Sequence, residues 1–319
     1  MRFEYILICF LMSSVGLKAQ DQALYTQFFY NKLSYNTAFA GTSPGTELTF
    51  IGREQWLGLK GSPSIQTIQG NIPLVADRVG LGAVLKRQHI GLTDHYTANL
   101  SYAYHIRYGD YLIGLSVNAL FGNTVNDFSE SRLITTRPVG MDPALSGTME
   151  KATYFNAGAS LLLRREGMYV GFSVPSIANR HLAFSDDDEI LRGDRVRFWH
   201  LMGGYAIPIG AEMLLNPQLL LSYAEGIPLK WDLNILMDFG DTFLAGIGYR
   251  SYNGIENGWG ESISLMGGLK LSENWFMTLS YDFGLTSLRQ HHNGSIEFAV
   301  RVYLGERDLR GEFRSPRFF

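Results

Sequence analysis

Trp275-Phe276-Met277-Thr278-Leu279-Ser280-Tyr281-Asp282-Phe283 reads with a period of two. The odd positions are large and apolar, and the even positions after Phe276 are small or polar. Successive side chains of an extended chain point to opposite faces. A strand here therefore separates Trp275, Met277, Leu279, Tyr281 and Phe283 from Thr278, Ser280 and Asp282. A soluble sheet with its apolar face inward fits this pattern, and so does a membrane barrel with its apolar face outward. The remainder of the chain has to separate the two.

The pattern recurs. Tyr96, Ala98, Leu100, Tyr102 and Tyr104 oppose Thr97, Asn99, Ser101 and Ala103. Trp231, Leu233, Ile235, Met237 and Phe239 oppose Asp232, Asn234, Leu236 and Asp238. Ile296, Phe298, Val300, Val302 and Leu304 oppose Glu297, Ala299, Arg301 and Tyr303. About fourteen strands are expected: Glu47–Trp56, Ser64–Ile72, Gly80–Gln88, Asp94–His105, Tyr111–Asn123, Thr153–Arg164, Met168–Val174, Arg195–Ala206, Glu212–Tyr223, Pro228–Phe239, Thr242–Tyr252, Glu261–Leu271, Trp275–Phe283 and Ser295–Leu304. An even number of strands, apolar on one face and polar on the other, is the mark of an outer-membrane barrel. Only a closed sheet leaves no unpaired backbone edge in lipid.

Connection lengths test this separately. With both termini periplasmic, connections after even-numbered strands should be short. Ile106–Asp110, Arg165–Gly167, Gly240-Asp241 and Ser272–Asn274 are short, whereas Thr124–Ala152, Pro175–Asp194 and Gly284–Gly294 are long and follow odd-numbered strands. Ala224–Ile227 is short on the supposed outer side. A sandwich gives no reason for this sorting.

The chain opens with Arg2, an apolar run from Tyr5 to Val15, and Leu17-Lys18-Ala19 before Gln20. That is the form of a secretory signal peptide over residues 1–19, too short for a membrane-spanning helix of about 20 residues. The single cysteine, Cys9, falls within it, so disulfides are not expected in the exported chain. The formal net charge is −3, and removal of Arg2, Glu4 and Lys18 makes it one unit more negative. Nothing there favours a nucleic-acid partner. Thirty-five glycines, 17 tyrosines and 20 phenylalanines suit short aromatic strands joined by tight turns. The domain plan is a leader (1–19), a plug or periplasmic lead-in (20–46), a barrel (47–304) and a periplasmic tail (305–319).

Asn31 follows Tyr30, and Asn36 and Gly41 belong to Tyr35-Asn36-Thr37-Ala38-Phe39-Ala40-Gly41. With Arg53-Glu54-Gln55-Trp56 and Gly61-Ser62-Pro63, they resemble the N-terminal signature of the PorP/SprF family. The closing Ser315-Pro316-Arg317-Phe318-Phe319 is similar to the tail of some members. Thr37 stands where the family usually has proline, and Lys32 where proline is common. The resemblance implies an outer-membrane component of the type IX secretion and gliding machinery. Its expected partners are secretion components, outer-membrane lipid, and a large exported adhesin with a C-terminal sorting domain.

Other chemistry is weaker. Gly41-Thr42-Ser43-Pro44-Gly45 matches G-x-S-x-G but leads into a strand, where a nucleophile elbow needs a helix. Asp186-Asp187-Asp188-Glu189 lacks the spacing of a calcium loop, and His291-His292 lacks a third metal ligand. No catalytic residue, metal or cofactor is expected. Asp232, Asn234, Asp238, Glu297 and Arg301 face the lumen as a polar network, joined by Arg250 and Arg53 near strand ends; charges there either pair or select a solute. The tail Arg307–Arg314 is either a docking segment or a frayed end. The expected function is a non-enzymatic barrel that binds and anchors an adhesin or the periplasmic ring. A solute channel of the porin or hydrophobic-substrate class is the alternative, and a lipid hydrolase a third.

Overall fold

The computed structural model describes residues 24–74, 78–128, 149–177, 196–210, 212–240, 242–252 and 260–304. The expected leader, most of the acidic loop with Asp186–Glu189, and the tail with Pro316, Arg317 and Phe318 lie outside the described residues.

The chain forms a closed antiparallel barrel of fourteen strands. They are β1 (Thr46–Glu54), β2 (Ser64–Leu74), β3 (Val79–Ile90), β4 (Thr93–Tyr108), β5 (Tyr111–Asp127), β6 (Met149–Arg165), β7 (Met168–Val174) and β8 (Phe198–Tyr205, continuing as Ile207–Ile209). The second half adds β9 (Met213–Ala224), β10 (Ile227–Phe239), β11 (Phe243–Tyr252), β12 (Ser262–Lys270), β13 (Trp275–Gly284) and β14 (Ser295–Leu304). Each pairs with its sequence neighbours, and β14 pairs with β1 from Thr46 opposite Leu304 to Glu54 opposite Ile296. No edge is left open. The two pieces of β8 keep one register against β9: Gly204 faces Gln218, and Ile207 faces Leu215. They are one strand interrupted near Pro217, whose missing N–H removes a ladder bond.

The period-two faces separate as the side-chain chemistry requires. Trp275, Met277, Leu279 and Phe283 are exposed on the outer wall, and Phe276, Thr278, Ser280 and Asp282 are buried inside. Aromatic pairs sit near both rims, Trp199 with Tyr223 (5.5 Å between centroids) and Phe239 with Phe243 (5.8 Å). These are the belts expected where an apolar wall meets headgroups.

The strand boundaries differ from expectation in two informative places. Thr124–Ala152 is not all connection: β5 continues to Asp127 and pairs with β6 from Met149. These ends project past the apolar band, where water imposes no alternation, so periodicity could not find them. At the other site, β1 stops at Glu54 because Trp56 takes a positive φ of 53°, outside the extended region. Short connections gather at one end (Gly109-Asp110, Glu166-Gly167), and the ends of β1, β5, β7 and β13 that lead into the longer connections all lie at the other. Two turns at the long-loop end, Gly91-Leu92 and Glu225-Gly226, are also tight.

Candidate functional site

The barrel interior is not empty. Residues 24–45 lie within it, running from the long-loop end at Tyr25 to the short-turn end at Gly41, where β1 begins. The segment has only a four-residue helix, α1 (Lys32–Tyr35), and a 3₁₀ turn, Thr37–Phe39, capped by Asn36, whose Oδ1 accepts from the Ala38 N–H at 2.9 Å. Irregular backbone of this kind is tolerated at membrane depth only where protein satisfies its polar groups. Here the wall does so.

Glu297 is fully buried and accepts from the backbone N–H groups of Thr26 (2.8 Å) and Gln27 (2.9 Å). The Thr26 hydroxyl donates to Asp282 at 2.7 Å and accepts from Arg53 Nη1 at 2.8 Å. Arg53 also pairs with Asp282 at 2.7 Å and Glu297 at 3.2 Å. The Thr26 carbonyl accepts from Asn234 Nδ2 (2.9 Å), and the Tyr25 carbonyl from Arg250 Nη2 (2.7 Å). Arg250 in turn binds Asp232. One arginine, two carboxylates and two peptide groups thus form a closed set, and neither acid is left uncompensated.

Further along, wall side chains continue to meet the segment. Arg301 lies 4.3 Å over the Tyr30 ring and pairs with Glu47 at 3.3 Å. Asn36 Nδ2 donates to the Leu161 carbonyl at 2.9 Å, and Thr37 bonds with Ser116 (2.8 Å) and Ser160 (3.0 Å). His105 Nε2 meets the Ala38 carbonyl at 3.2 Å. Asn71 closes the end, accepting from Gly41 N–H and donating to the Phe39 carbonyl at 3.2 Å. Gly41 and Gly80 pass so closely that a Cβ on Gly41 would sit 2.4 Å from Gly80 Cα. Phe28, Phe29, Leu33 and Phe39 add an apolar core, Phe39 meeting Tyr169 edge-on at 5.3 Å.

Of the residues singled out in the sequence, Asp232, Asn234, Glu297 and Arg301 are buried in the lumen against the segment or the residues that hold it. Asp238 is buried near the short-turn end of β10, away from the Arg53 cluster. Asn31 is buried and accepts from the Ser34 hydroxyl at 2.6 Å. Arg53, Gln55, Trp56 and Pro63 come together at the long-loop end. There they help line a vestibule of about 550 Å³ whose floor is Leu24, Arg53, Arg250 and Asp282. Gln88 and Ser262 join them from β3 and β12; no local motif marks either.

Ser43 is buried, its hydroxyl donates to the Gly45 carbonyl, and Thr46 opens a strand. That is a turn, not the strand–helix elbow a nucleophile needs. Among the described residues, no three His, Cys, Asp or Glu side chains are grouped to hold a metal.

The model of the type IX secretion system membrane protein PorP/SprF matches residues 17–302. The chain belongs to the PorP/SprF family. It is an outer-membrane β-barrel associated with type IX secretion. Among solved structures it is similar to CymD, a monoaromatic hydrocarbon channel (11% identity, TM-score 0.50), covering 89% of this chain and 94% of that one. The toluene transporter TbuX of Ralstonia pickettii (11%, 0.48; 86% and 93%) and Omp33 of Acinetobacter baumannii (9%, 0.44; 83% and 100%) are also similar. At these identities the likeness concerns the fold alone. No curated protein matches the chain.

Proposed function

We propose that this PorP/SprF-family barrel is a plugged anchor of the type IX secretion and gliding machinery, a non-enzymatic component that holds partners and does not conduct solutes. The partner is a large exported adhesin with a C-terminal sorting domain, or the periplasmic secretion ring. The observation that supports this reading is the occupied lumen: residues 25–41 bond to wall side chains from β1 round to β14. In this reading residues 20–46 are the plug, residues 47–304 the wall, and the polar residues Asp232, Asn234, Glu297 and Arg301 serve to hold the plug. The apolar outer wall faces lipid.

The similarity to hydrocarbon channels raises the alternative of a solute channel, which requires a continuous path past the segment. Purification of the tagged barrel from outer membranes in mild detergent, with mass spectrometry of what accompanies it, separates the two. Recovery of an adhesin or of ring proteins is the expected result. A barrel that comes down alone and conducts in planar bilayers overturns the proposal.

A further inference from the structure

The vestibule at the long-loop end has no part in holding the plug above its floor, yet it is a built cavity. At about 550 Å³ it is within the range of small-ligand sites. Gln55 is 6% exposed and Gln88 4%, and both line the cavity. Ser262 Oγ, on the same lining, is buried without a hydrogen-bond partner. A buried hydroxyl left open beside a cavity is unfavourable unless something pairs with it.

The wall between them is shaped by strain. Trp56 is the one non-glycine residue with a positive φ among the described residues. For a bulky side chain that conformation is strained, and such strain concentrates at functional positions. It is held by the surroundings: Trp56 N–H donates to Ser295 Oγ (3.1 Å), and Leu57 exchanges backbone bonds with Gly294 and Asn293 (both 2.8 Å). The result sets the Trp56 ring on the cavity lining beside His292, 6.3 Å away.

The lining disfavours an anionic ligand: Arg53 is already paired with Asp282 and Glu297, and Arg250 with Asp232, while Glu261 adds a carboxylate able to accept from hydroxyl groups. The lining further offers a tryptophan, two amides and a hydroxyl. An aromatic face suits the C–H face of a pyranose, and amides that both donate and accept suit its adjacent hydroxyls. We propose that this vestibule is a binding site for a neutral oligosaccharide of two or three sugars, approached from the side bearing the long loops. Loop asymmetry makes that side the outer one, and the inference stands independently of which secretion partner is bound.

The test uses full-length protein in a zwitterionic detergent, because sugar-headed detergents would occupy the site. Saturation-transfer difference NMR is run against neutral disaccharides (maltose, cellobiose, lactose, mannobiose and diacetylchitobiose) and a neutral tripeptide of similar size. At least one sugar is expected to bind saturably, with transfer strongest at ring C–H protons. Trp56→Gly and the pair Gln55→Ala with Gln88→Ala are each expected to weaken that sugar roughly tenfold, the loss of about one hydrogen bond or stacking contact. The heat-modifiable barrel band should persist, since glycine suits the backbone at position 56. No saturable sugar binding by the native protein overturns the proposal. So does binding that both variants retain, or a tripeptide that binds where no sugar does.

Discussion

Arg53 of β1 reaches past β14 to pair with Asp282 of β13 at 2.7 Å, and the hydroxyl of Thr26 is bonded to both. The pair therefore joins two non-adjacent wall strands and the lumenal segment at one point. Burial alone would disfavour all three charges of the cluster, and the cluster persists because each acid has a guanidinium or peptide N–H partner.

Arg53→Ala should leave Asp282 and Glu297 buried without their cation, a loss of about 3–5 kcal/mol. The temperature at which the folded band disappears on semi-native gels should fall accordingly. Adding Asp282→Asn and Glu297→Gln should restore much of it, because the orphaned charges go with their partner. A single variant as stable as the native barrel would mean that the cluster holds little.

Gly80→Ala tests the plug without touching an ion pair. A Cβ there would lie 2.0 Å from the Ala40 carbonyl, while the β3 backbone ladder is unaffected. The segment must shift and the wall need not. Single-channel recording should find the native barrel closed or nearly so, and the variant with discrete openings. Equal conductance in the two would show that residues 24–45 do not control the bore.

Trp56→Gly exchanges a strained tryptophan for a residue at ease with φ of 53°. Relief of strain is offset by the lost half-buried ring and by the greater freedom of glycine in the unfolded chain. Thermal melts should therefore change by no more than about 1 kcal/mol. A collapse of the barrel would make Trp56 a structural residue and remove the argument from strain.

The loop 285–294 should loosen in acid. Partial burial, and then the neighbouring His291, hold the His292 imidazole below its ordinary value, and its Nδ1 accepts the Gly294 N–H at 2.9 Å. A histidine depressed in the folded state adds no penalty above its unfolded pKa, near 6.5. As pH falls through that value the unfolded chain takes the proton more readily, so stability is lost, and the Gly294 bond competes with the proton. Amide exchange at Gly294 and Leu57, compared with other loop amides at pH 7.5 and 5.5, should rise selectively in acid. A uniform change would exclude His292 as the cause.

Much of the wall was legible without coordinates, because lipid and a buried polar interior impose alternation on every strand that crosses the apolar band. The same logic failed at Thr124–Asp127 and Met149–Ala152, which pair beyond that band. Arg53 and Arg250 could be foreseen as lumenal from their places near strand ends. Their partners could not: Thr26 meets Glu297 across 271 positions of sequence, and nothing local couples them.

By itself the sequence determined a closed antiparallel barrel and, through its N-terminal motifs, the PorP/SprF family. A period of two, once a face must meet lipid, leaves the backbone no other closed arrangement. Tertiary structure alone decided that residues 24–45 fill the bore and that Gln55, Gln88, Trp56 and Ser262 share one cavity. An irregular segment has no periodicity to read, and residues on β3, β12 and the first long loop become neighbours only when β14 closes on β1.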